Sequence, residues 1–105
     1  MTEEELTYAS YLRVDELLDL QSPLSKPEEH DETLFIIIHQ VYELWFKQQL
    51  HEGDRLVRLL QEDNGPDACA TLKRMLTILK TMVKQIDVLE TMSPVSFQSF
   101  RKFLS

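Results

Sequence analysis

From Asp31 to Asp63 the chain runs without a proline and with a single glycine, Gly53. Inside this run lies FIIIHQVYELWF (35–46), the most apolar stretch of the sequence. Strands seldom exceed about ten residues. A longer proline-free run with apolar residues three and four apart is a helix. Asp31 is placed to cap it, and Glu32 adds the negative charge that a first turn favours. The half through Phe46 is apolar on most faces and is expected to be buried. The half ending RLVRLLQED (55–63) is ordinary amphipathic helix. Gly53 weakens the run by about 1 kcal/mol relative to alanine and marks a bend or a close approach.

The remaining punctuation divides the chain around this helix. Residues 1–29 form an N-terminal arm in which VDELLDLQ (14–21) has the pattern of a short amphipathic helix. SPLSKPEEH then enforces an extended or turning connection through Pro23 and Pro27. Asn64-Gly65-Pro66 ends the long helix, with Gly65 suited to a left-handed C-terminal position and Pro66 to the next start. A helix over 66–92 carries one stripe of Leu72, Leu76, Leu79, Val83 and Ile86, widened by Met75, Met82 and Leu89. Ser93-Pro94 restarts the chain as a helix over 94–104 with Phe97, Phe100, Phe103 and Leu104. The expected fold is all-α, a single segment of about four helices with antiparallel neighbours, because the connections are short. The chain closes on Phe103-Leu104-Ser105 without a capping glycine or polar tail, the pattern expected of a piece of a longer protein.

The 18 acidic against 11 basic residues give a formal charge of −7, which disfavours nucleic acid and anionic membrane as partners. A lone cysteine, Cys69, forms no internal disulfide. The acidic start MTEEELTY is no signal peptide, and the longest apolar run, Leu34–Ile38, is far short of the roughly 20 residues that span a bilayer. The expected location is the cell interior.

Phe35, His39, Tyr42 and Phe46 recur at helical spacing and share one stripe. Such a stripe suits a flat aromatic ligand, with an imidazole nitrogen accepting from its N–H. It equally suits a core histidine bonded to a backbone carbonyl. Phe97 and Arg101 share a face, where the arginine either forks onto a ligand carboxylate or lies on the surface with its stem on the ring. Tyr8 and Tyr11 suit packing or an interface. Metal templates fail: His51-Glu52 lacks the second histidine of HExxH, no Glu-x-x-His pair occurs, and Cys69 has no partner.

Three blocks, LTYASYLRVDELLDLQ (6–21), HDETLFIIIHQVYELWFKQQLHE (30–52) and VLETMSPVSFQSFR (88–101), resemble the N-terminal part of the tryptophan 2,3-dioxygenase family. They fall in the family's order and spacing, with LKRM between the last two, and cover nearly the whole chain from Leu6. The resemblance implies the all-helical tryptophan/indoleamine dioxygenase-like fold and a cytosolic homotetramer with haem b as cofactor. Its reaction cleaves the indole C2–C3 bond of L-tryptophan with O2 to give N-formyl-L-kynurenine.

By the same resemblance, Phe35 and His39 match indole-pocket positions, with Ile36, Ile37 and Ile38 in the same substrate-binding segment. His39 would accept from the indole N–H on the oxygen-binding side of the haem. Arg101 matches the arginine that pairs with the substrate carboxylate, and Phe97 a position that is tyrosine in some members. Tyr8, Tyr11 and Leu12 match residues that reach a neighbouring subunit's site. The family's proximal haem histidine and a threonine contacting the substrate ammonium lie downstream of Ser105, and His30, His39 and His51 match no such ligand. The chain is therefore expected to supply no haem ligand and, alone, to neither bind haem in the family manner nor turn over tryptophan. A non-catalytic helical oligomerisation module and a haem-free indole-binding bundle are the alternatives.

Overall fold

The computed structural model describes residues 5–95 and residue 98. Four helices occur, α1 (Tyr8–Leu12), α2 (Val14–Leu17), α3 (Glu32–Gln61) and α4 (Gly65–Leu89), and no strand among the described residues. The all-α expectation holds. The helices differ from expectation in where they lie, because the arm is split in two. Residues 94–104, except Pro94, Val95 and Gln98, lie outside the described residues.

The split falls at Arg13, which takes left-handed angles (φ 54°, ψ 47°). Thr7 starts α1 with a capping box, its Oγ1 accepting from Ser10 N at 3.1 Å while Thr7 N donates to Ser10 Oγ at 2.9 Å. Arg13 N then closes that turn on Ser10 O, and α2 covers only the first half of the expected VDELLDLQ helix.

Asp31 occupies the N-cap of α3 but makes no capping hydrogen bond, since its own backbone is already helical (φ −77°, ψ −6°). Glu32 does more than add charge. Its carboxylate, 4% exposed, accepts from Leu24 N and Ser25 N at 2.9 Å and from Ser25 Oγ at 2.6 Å. Burial alone would raise its pKa, but these bonds outweigh that and hold the carboxyl below its ordinary value. The proline-bearing connection is thereby tied down by one side chain.

At the far end Asp63, rather than Gly65, takes the left-handed position (φ 55°). Asn64 N donates to Leu59 O and Asp63 N to Leu60 O, the paired closure of a Schellman turn. Aspartate tolerates this conformation better than most residues. Gly65 has a negative φ and opens α4, with Pro66 in its first turn as expected and Asn64 Oδ1 accepting from Asp67 N. Gly53 meets no close approach either: a Cβ added there would find Met75 Cε at 4.0 Å.

α3 and α4 pack as an antiparallel hairpin, joined by Tyr42 Oη donating to Met82 O (2.6 Å), Gln49 Nε2 to Met75 O (2.9 Å) and Arg74 to Glu52 (3.3 Å). Phe35, Ile38, Leu59, Ala68, Ile78, Met82 and Met92 are buried. The apolar stripe expected to pack is not the one that does. Leu72, Leu76, Leu79, Val83 and Ile86 stand 47–60% exposed, because the side of α4 carrying Ala68, Thr71, Ile78 and Met82 meets α3. Likewise Ile37, His39, Leu44 and Phe46 of α3 are exposed rather than buried. A two-helix hairpin covers one side of each helix, and this sequence has apolar residues on more than one. The radius of gyration, 18.8 Å, exceeds the roughly 13 Å of a compact 100-residue domain.

Replacing Glu32 by alanine leaves three donors unmet and is expected to cost about 1–3 kcal/mol near neutral pH in urea melts. Because the folded pKa is lowered, this contribution is complete above the ordinary carboxylate range. It is lost as pH falls through the folded value, so the two melting curves should converge in acid. Gly53→Ala is expected to stabilise by about 0.5–1 kcal/mol in the same assay, since the added methyl meets only ordinary contact.

Candidate functional site

His39 lies one turn after Phe35 on α3, and the two rings sit 4.4 Å apart at 43°. Its Nδ1 is 2.7 Å from Phe35 O. A carbonyl oxygen only accepts, so Nδ1 carries a proton. In the neutral ring Nε2 is then the acceptor. The backbone thus selects the tautomer through a carbonyl of the same helix.

The ring lines a cleft of about 580 Å³ between the arm and α3. Leu17 and Leu20 form its arm side; His39, Gln40, Glu43, Leu44 and Lys47 form its α3 side. No Cα of α1 or α2 comes within 8 Å of a Cα of α3, so these two short helices stand off from the long one. Two side-chain bonds tie residues 20 and 21 to Gln40, next to His39, and a third braces the arm internally. Gln40 Nε2 donates to Leu20 O, and Gln21 Nε2 donates to both Gln40 Oε1 and Leu17 O, all at 2.9 Å. Glu43 and Lys47, one turn apart, give this side of the cleft one charge of each sign.

Of the sequence-derived candidates among the described residues, His39 alone lines this cleft. Phe35 and Ile36 turn to a small core with Met92, Leu34 and Leu89. Ile38 is buried and Ile37 exposed. The expected aromatic stripe divides into two pairs, Phe35 with His39, and Phe46 stacked at 6.3 Å on Tyr42, whose hydroxyl donates to Met82 O on α4. Tyr8 and Tyr11, 79% and 72% exposed, and Leu12 stand on the arm away from His39's cleft. Phe97 and Arg101 lie outside the described residues. Sequence reasoning missed Gln21, Glu43 and Lys47. Gln40 was conspicuous as a polar residue in an apolar run, but no periodicity links it to Gln21.

Among the described residues no three His, Cys, Asp or Glu side chains gather to hold a metal ion, and Cys69 is exposed. No described helix is long and apolar enough to cross a membrane.

The candidate site is thus a cleft beside the α3–α4 hairpin, lined by a histidine whose Nδ1 is engaged by its own helix. The tryptophan 2,3-dioxygenase family model matches residues 1–105, and the chain belongs to that family. The tryptophan 2,3-dioxygenase of Herpetosiphon aurantiacus is 60% identical over 98 residues, 93% of this chain and 38% of the relative. That of Anaeromyxobacter sp. strain K is 61% identical over 99 residues, 94% and 37%. The Rhodococcus jostii protein of the same name is 46% identical over 101 residues, 96% and 36%. The chain therefore spans a little over a third of these relatives' length.

A haem requires an axial ligand and a slot closing on both ring faces. The cleft beside His39 offers that imidazole's Nε2, three leucines and a charged pair, but it is open and closes on no second ring face. The described residues do not by themselves fit a haem.

Long-range ¹H–¹⁵N spectra of the histidine rings should show His39 as the Nδ1–H tautomer when neutral. An Nε2–H pattern would contradict the Phe35 bond.

Proposed function

We propose that these residues form the tryptophan-facing wall of a haem-dependent tryptophan 2,3-dioxygenase. That enzyme inserts both atoms of O2 across the indole C2–C3 bond, converting L-tryptophan to N-formyl-L-kynurenine at the start of kynurenine-pathway catabolism. What carries the reading is the His39–Phe35 bond, which leaves Nε2 an acceptor in a chain matched by the family along its whole length. An acceptor at that atom suits the indole N–H, and holding that end of the substrate is an orientation effect.

In this reading Phe35 and the Ile36–Ile38 segment support His39 and shape the pocket. Arg101 forks onto the substrate carboxylate beside Phe97. Tyr8, Tyr11 and Leu12, exposed on the arm, enter a neighbouring subunit's pocket in a cytosolic homotetramer. Haem b supplies the oxidative chemistry when bound. It is assigned to elements of the family fold other than the residues described here.

The test is to exchange residues 6–105 into the Herpetosiphon aurantiacus relative and compare His39 with His39→Ala. The exchanged enzyme should convert L-tryptophan, and the substitution should lower turnover by about 10- to 100-fold with haem absorbance and assembly unchanged. The exposed leucine stripe of α4 favours a second reading, a non-catalytic oligomerisation module. Altered assembly with unaffected kinetics would select it. The 105-residue chain mixed with haemin is expected to give no tryptophan-dependent shift of a histidine-ligated Soret band. Heat on titrating that chain with L-tryptophan alone would point instead to a haem-free indole-binding bundle.

A further inference from the structure

Neither helix of the arm brings a Cα within 8 Å of a Cα of α3, so α1 and α2 do not set the arm's position beside His39 by close backbone packing. Its seat is defined at two points. One is Glu32, which holds Leu24 and Ser25 at the start of the long helix. The other is Gln40, the residue next to His39. Its amide is used at both ends: Nε2 donates to Leu20 O, and Oε1 accepts from Gln21 Nε2. Gln21 also donates to Leu17 O, so Gln40 reaches Leu20 directly and Leu17 through Gln21, and these two leucines form the arm side of the cleft.

We propose that Gln40 is a positioning residue: its clamp on Leu20 and Gln21 sets the width of the cleft that His39 faces. The placement rests on the reading of His39 as a substrate-facing residue. It goes beyond that reading by giving its neighbour a separate task. Gln40 need not touch substrate. It acts through Leu17 and Leu20, and through the arm that carries Tyr8 and Tyr11 further along.

Chemistry favours this role over simple packing. A buried or half-buried amide placed in an apolar run is costly unless it is bonded. Gln40 meets that demand with one donor and one acceptor bond to a segment 19 and 20 residues away. A leucine there would suit the apolar run but could not hold an arm at a fixed distance.

The experiment measures cleft width directly in the 105-residue chain. Spin labels at Leu17→Cys and Lys47→Cys, on opposite sides of the cleft, are read by pulsed dipolar spectroscopy with Cys69→Ser removing the native thiol. A single narrow distance is expected with Gln40 present. Gln40→Ala should broaden and lengthen it at unchanged helicity. Gln21→Ala should do the same, and the double variant should add little, as for two members of one interaction. Gln40→Glu keeps the acceptor for Gln21 and loses the donor to Leu20, so an intermediate width is expected. Should Gln40→Ala fail to fold, Gln21→Ala, which leaves α3 intact, decides the matter. An unchanged distance distribution in the folded variants overturns the proposal.

In the exchanged enzyme described above, Gln40→Ala should raise KM for L-tryptophan by about tenfold with a smaller effect on kcat. A loss confined to kcat overturns the positioning role. If the exchanged enzyme never turns over tryptophan, the functional reading fails while the distance measurement still decides the clamp.

Discussion

The two long helices are held together along the seam where α3 meets α4, and polar groups join the apolar ones in holding it. Tyr42, Gln49 and Glu52 on α3 reach Met82, Met75 and Arg74 on α4. Two of these are bonds from a side chain to a main-chain carbonyl, so they fix one helix against the backbone of the other. Further polar atoms lie buried along the two helices without a hydrogen-bond partner among the described residues: Trp45 Nε1, Gln49 Oε1, Glu52 Oε2 and Gln85 Oε1. Buried groups of this kind are ordinarily met by water or by another side chain, since leaving one unmet costs about 1–3 kcal/mol.

The seam explains why α4 presents its leucines outward. An amphipathic reading assigns the widest apolar stripe to the nearest neighbour, and hydrophobic area alone would favour it. Ala68 and Thr71 instead let α3 approach one side of α4, with Ile78 and Met82 filling the rest. The polar partners lie on or beside that side. Leu72, Leu76, Leu79, Val83 and Ile86 are then left for surfaces other than α3.

The long helices were legible from the sequence because their signals are local: proline-free runs, apolar spacing, and a proline at a helix start. Boundaries fell within a few residues of those observed. What could not be read depended on competition between neighbours or on distant partners. Asp63 took the left-handed turn from Gly65, since the turn closes where Leu59 and Leu60 offer carbonyls. Asp31 stood at the cap position without capping. At the site, His39 was visible as a polar break in an apolar run, but its exposure was not. Nor was the Gln21–Gln40 contact, which joins two segments with no shared periodicity.

Side-chain bonds onto helix carbonyls have a geometric consequence for His39. Carbonyls recur along one side of a helix only about every turn, 5.4 Å. Tyr42 and Gln49, seven residues apart, both have to find one. A small slide of α3 along α4 would strand both together, and the next arrangement that satisfies them lies roughly a full turn away. Both bonds therefore set the same register of α3 on α4, and with it the height of His39 along the pair.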